Sequence, residues 1–106
     1  MISLKEKMEV LFVSLDEKTL HIVVKGSVQG VGYRALSKHF ADKFGVKGCV
    51  KNLSDGSVEI YAQGEISRLD QFVLAVKREK GLAKVECISV DEYKHPKHYK
   101  DFEILF

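Results

Sequence analysis

Residues 20–44 read LHIVVKGSVQGVGYRALSKHFADKF, and a change of rhythm inside them decides the fold. Leu20 to Lys25 is short and β-branched, the composition of a strand, and it ends at Gly26. From Tyr33 onward the apolar residues Tyr33, Leu36, Phe40 and Phe44 recur every three or four places, the period of one helix face. Gly45 then follows as a helix C-cap. The stretch is a strand that passes through a glycine-rich loop into a helix.

Downstream, Val46 to Leu53 reads as a second strand, and Ser54-Asp55-Gly56-Ser57 carries an Asp-Gly turn signal. Val58 to Gln63 returns as its antiparallel partner. A second helix is expected from Ile66 to Glu79, with Ile66, Leu69, Phe72, Val73 and Val76 on one face and Gly81 after it. Val85 to Tyr93 is another strand, and Phe102, Ile104 and Phe106 alternate in a last short one. The order β-α-β-β-α-β plus a terminal strand predicts an α+β, ferredoxin-like split-βαβ sandwich. Two helices then cover one face of a mostly antiparallel sheet. The first crossover makes strands one and two parallel, with the third between them. The C-terminal ends of the first two strands, near Gly26 and Asn52, therefore fall at the same end of the sheet.

Upstream, residues 1–18 are the least readable, because Met8 to Leu15 suits a strand and the spacing of Leu4, Met8, Leu11 and Leu15 suits a helix. They are set apart as an N-terminal extension to a domain spanning 19–106. A chain of 106 residues has room for one two-layer core. Its formal charge of +2 favours anions mildly and falls short of the basic patch of a nucleic-acid binder. The apolar run Val10 to Val13 is too short for a membrane span or signal peptide, and the charges before it are mixed. These features point to a cytoplasmic protein with no membrane and no nucleic-acid partner. Nothing asks for a second copy, so a monomer is expected. Cys49 and Cys87 read as buried thiols, with a disulfide between them left open.

Chemistry concentrates in Gly26-Ser27-Val28-Gln29-Gly30-Val31-Gly32-Tyr33-Arg34. Glycines at Gly26, Gly30 and Gly32 let backbone approach a ligand closely. A loop feeding a helix N-terminus aims unpaired N–H groups in one direction, and the helix dipole adds positive charge there. Arg34 falls in the first helical turn, where a guanidinium can grip two oxygens of one anion. The backbone of Val28, Gln29, Gly30, Val31, Gly32, Tyr33 and Arg34 is thus a candidate phosphate cradle. It is not a P-loop, which needs a Gly-Lys-Ser/Thr ending. Gly30 to Ala35 fits a dinucleotide fingerprint only by accident, because the chain is too short for a doubly wound domain.

This loop, followed by Gly48-Cys49-Val50-Lys51-Asn52-Leu53-Ser54-Asp55-Gly56-Ser57-Val58-Glu59, resembles the two signatures of the acylphosphatase family at matching spacing. The resemblance covers roughly Thr19 to Phe106. It implies a ferredoxin-like fold, hydrolysis of the carboxyl–phosphate bond of a small acyl phosphate, and no cofactor or metal. Arg34 falls where the family has its phosphate-binding arginine, and Asn52 where it has the asparagine that orients water. Cys49 departs from the aromatic residue often found at its place.

The chemistry agrees with so sparse a site. An acyl phosphate expels a carboxylate whose conjugate acid has a pKa of about 4, so no general acid is needed. What remains is positioning and charge neutralisation. Other polar candidates read as structural. His95-Pro96-Lys97-His98 is a solvated basic turn without a completing ligand set. His39 belongs on the wet side of its helix, and His21 fits either a core edge or the surface. Asp55 and Glu59 serve the hairpin and its solvated face. RNA-recognition domains share the topology but stack bases on open-face aromatics, where Lys47 to Lys51 offers cysteine and valine. A non-catalytic acyl-phosphate sensor would use the same loop, and turnover separates it from an enzyme.

Overall fold

The computed structural model describes residues 3–4, 17–78, 81–94 and 96–106. Its elements are β1 (Glu17–Ser27), α1 (Tyr33–Phe44), β2 (Lys47–Asn52), β3 (Val58–Glu65), α2 (Ile66–Arg78), β4 (Lys84–Glu92) and β5 (Phe102–Leu105). The strands form one sheet in the order β4-β1-β3-β2-β5. β1 and β2 are both antiparallel to β3 and so run in the same direction, with β3 between them. β5 lies parallel to β2 at the edge. Two helices on this mixed sheet make the ferredoxin-like α+β fold.

Period-two alternation places Ile22 and Val24 of β1, Val50 of β2, and Val58, Ile60 and Ala62 of β3 against the helices. They meet Phe40 and Ala41 of α1 and Leu69, Phe72 and Val76 of α2, with Phe102 of β5 closing one side. α1 ends at Gly45, left-handed at φ 70°, whose N–H returns to the Ala41 carbonyl. No helix among the described residues is long and apolar enough to cross a membrane.

Three expectations need correction. β1 is longer than Leu20 to Lys25 because it has partners on both sides, β3 as far as Val24 and β4 as far as Ser27. Gly26 therefore lies inside the strand, where the register to β4 shifts after Lys25. The last strand stops at Leu105, leaving Phe106 outside it and 98 % exposed. The cysteines are not both buried: Cys49 is half-buried and Cys87 exposed. Cys87 pairs with exposed Lys25 across an edge strand, on the face away from the helices. With β1 and β3 between β4 and β2, strand spacing alone separates the thiols by about 14 Å, roughly twice the reach of a disulfide. The expected forms of 5–16, Glu79 and His95 lie outside the described residues.

Candidate active site

The loop between β1 and α1 is anchored in the core at both ends. Val28 and Tyr33 are each 1 % exposed. The Tyr33 hydroxyl donates to the Val76 carbonyl at 2.7 Å, and burial pushes its phenol up to about 12. Between these anchors the backbone turns left-handed at Gly30 (φ 73°) and Gly32 (φ 79°), a conformation that a Cβ would oppose. Gly32 is the N-cap of α1 and offers no side-chain cap. The first helical bond runs from Leu36 N to Gly32 O at 3.0 Å. The N–H groups of Gly32, Tyr33, Arg34 and Ala35 therefore precede the helical ladder and have no intrahelical acceptor. No acidic residue occupies the first turn, so nothing there neutralises the positive end of the dipole.

Beside this helix start lies a cavity of about 230 Å3. Val28, Gly30, Gly32, Tyr33, Arg34 and Ala35 form one side of it, and Asn52, Ile104 and Phe106 the other. Arg34 and Asn52 thus come from different elements, the first turn of α1 and the end of β2, to one space. Neither Gln29 nor Val31 lines it. Val31 packs partly buried against the core. The Gln29 amide turns away, its Nε2 donating to the carbonyls of Leu53 at 2.7 Å and Ser57 at 2.8 Å.

Arg34 is steered by the far end of the chain. Its Nη1 donates to the Leu105 carbonyl at 2.9 Å, and its guanidinium carbon sits 4.8 Å from the centre of the Phe106 ring. Among the described residues one of its five donors is used, and the planar fork keeps the rest. The Asn52 amide makes no side-chain hydrogen bond among the described residues, and its Oδ1 is buried without a partner. A buried acceptor left unpaired costs about 1–3 kcal/mol, so such a group calls for an explanation. Among the described residues, Arg34 is the only cationic side chain lining the cavity, and no Asp, Glu or His side chain lines it.

Other polar residues lie elsewhere. His21 bonds Glu59 at 2.9 Å and stacks on Tyr61 at 4.8 Å on the face away from the helices. His39 and His98 are exposed. Asp55 Oδ1 accepts from Ser57 N at 2.9 Å and Ser57 Oγ at 2.5 Å, which holds its carboxyl below the usual range and rigidifies the hairpin turn. On the open face, Val50 points into the core and only Cys49 of that pair faces outward. The rings there, Tyr61, Tyr93 and Tyr99, come from other segments and border a second groove of about 390 Å3. The stretch from Lys47 to Lys51 could not have shown them. The roles of Gln29, Leu105 and Phe106 were equally invisible in sequence, since their partners lie 24 to 72 residues away.

Known proteins are similar to this chain in sequence and fold. The acylphosphatase family model matches residues 20–104. An acylphosphatase of Treponema denticola is 44 % identical over 93 residues, covering 85 % of this chain and 98 % of that protein. One from Archaeoglobus fulgidus is 45 % identical over 87 residues, covering 82 % and 97 %. The crystal structure of acylphosphatase from Bacillus subtilis superposes with a TM-score of 0.79 at 42 % identity, covering 83 % of this chain and 98 % of that one.

Proposed function

The chain belongs to the acylphosphatase family, and from that premise we propose how its cavity cleaves the carboxyl–phosphate bond of acyl phosphates. The observation that carries the reading is the meeting of Arg34 and Asn52 at one cavity beside the open N-terminus of α1. The phosphoryl group sits at that N-terminus, its oxygens facing the N–H groups that precede the helical ladder, with the Val28–Arg34 loop as cradle. Arg34, already oriented by Leu105 and Phe106, pairs with the same oxygens as charge gathers on them.

Asn52 holds the attacking water. Among the described residues its amide has no hydrogen bond to break, so rotation about the soft χ2 torsion presents either Oδ1 or Nδ2 to the cavity. A water that donates one proton to Oδ1 keeps a lone pair for phosphorus. The new P–O bond forms as the acyl C–O–P bridge breaks on the phosphorus side, and its electron pair leaves with the carboxylate. The water's protons pass to the phosphate product. The leaving carboxylate needs no proton, which agrees with a lining that holds no Asp, Glu or His side chain among the described residues. Preorganised charge and proximity supply the rate.

Hydrolysis of acetyl phosphate with and without a strong chelator tests the scheme, with Arg34→Ala beside the parent. Turnover that survives the chelator, and falls about 100-fold to 1,000-fold in Arg34→Ala, is expected. Loss of activity on chelation would show that a metal carries the chemistry. Binding without turnover would mark an acyl-phosphate sensor instead.

A further inference from the structure

We propose that Gln29 is a positioning residue that sets Asn52 against the phosphate loop, an inference that rests on the water-holding reading of Asn52. Asn52 is the last paired residue of β2, facing Val58, and the turn that follows it holds itself shut. Leu53 N donates to Ser57 O at 2.8 Å, Gly56 N to Leu53 O at 3.2 Å, and Asp55 caps Ser57. The turn is therefore a stiff handle joined directly to Asn52. The Asn52 amide makes no hydrogen bond of its own among the described residues, so its place depends on where that handle lies.

Gln29 grips the handle. Its Nε2 spends both protons on the two carbonyls that close the turn, Leu53 O and Ser57 O. Among the described residues these are the only hydrogen bonds linking the loop of residues 28–32 to the turn of residues 53–57. One amide group thus fixes the separation between the two halves of the cavity. The phosphoryl group is held by one half and the water by the other, and in-line attack depends on that separation. A displacement of about 1 Å at a reacting centre can cost about 100-fold. The choice of amide is chemically specific, since two carbonyl acceptors require a group with two N–H donors and no negative charge.

The test is a double-mutant cycle on acetyl phosphate turnover, with inhibition by inorganic phosphate as the measure of the cradle. Gln29→Ala should lower kcat roughly 10-fold to 100-fold while phosphate inhibition stays within about 3-fold. In the Asn52→Ala background the same change should cost less than about 3-fold, because the residue it positions is gone. Gln29→Glu, which keeps the side chain's size, should be impaired at neutral pH and recover towards the parent as its carboxyl protonates and regains a donor. Equal losses in both backgrounds would overturn the positioning role, and so would a matching loss of phosphate affinity. A flat pH ratio between Gln29→Glu and the parent would also overturn it. Near-parental turnover by Asn52→Ala alone would bring down the reading of Asn52 and this inference with it.

Discussion

Replacing Asn52 by alanine should make the protein more stable and far less active. The amide oxygen is buried with no partner among the described residues, a penalty of about 1–3 kcal/mol that the folded state carries and the unfolded state does not. Alanine removes that acceptor and keeps the backbone pairing of position 52 with Val58, which needs no side chain. Lost contacts of the amide offset part of the gain, leaving a net stabilisation of about 1 kcal/mol. For a domain of this size that raises Tm by about 4–8 °C, read by circular dichroism in a thermal scan. Saturating turnover of acetyl phosphate should meanwhile fall about 100-fold or more, since the proposed preorganised contact to the attacking water is lost. The opposed signs are the signature of a residue retained for chemistry at the expense of the fold. A Tm lowered by several degrees would refute the reasoning, for it would mean the amide supports the structure and inactivity follows from damage. Turnover within 10-fold of the parent would refute the catalytic half.

Two further predictions concern the scaffold. Burial holds the Tyr33 phenol at about 12, above its ordinary value of 10, so the folded state keeps its proton more tightly than the unfolded state. The linked stability, about 2–3 kcal/mol, is complete below pH 10 and is lost as pH rises through 12. Tyr33→Phe should cost about 1 kcal/mol at pH 7 by losing the bond to Val76, with the gap to the parent closing near pH 11 in urea titrations. A gap independent of pH would refute it. Gly26→Ala should destabilise by roughly 3 kcal/mol or more, because its φ of 134° excludes a Cβ, which would meet the Lys84 carbonyl and lie 2.9 Å from Glu86 N. Denaturant midpoints measure this, and a loss under 1 kcal/mol would show that β4 yields easily.

The element order was legible because its signals are local. The spacing of Tyr33, Leu36, Phe40 and Phe44, with Gly45 behind it, predicts a helix with the bounds that α1 has. The Asp-Gly pair marks the hairpin, and alternation marks β2 and β3. Strand ends were less legible. Glu17 to Thr19, Gly26 and Ser27 carry no apolar alternation, and they become strand only because two neighbours supply hydrogen-bond partners. The exposure of Cys87 likewise follows from β4 lying at an edge, which its apolar neighbours in sequence do not reveal.

The sequence by itself determined a glycine-rich loop running into a helix with Arg34 in its first turn, and an asparagine at the end of a parallel strand. Those follow from periodicity, turn chemistry and backbone freedom, all properties of neighbouring residues. Only the tertiary structure decided that Arg34 is steered by Leu105 and Phe106, that Gln29 faces the hairpin, and that Asn52 has no partner for its amide oxygen among the described residues. The reason is physical. A hydrogen bond between residues 24 or 71 positions apart forms when the sheet and helices close over the core, and no local pattern encodes its partner. The loop was readable as a candidate phosphate cradle, and the fold supplied what holds that loop in place.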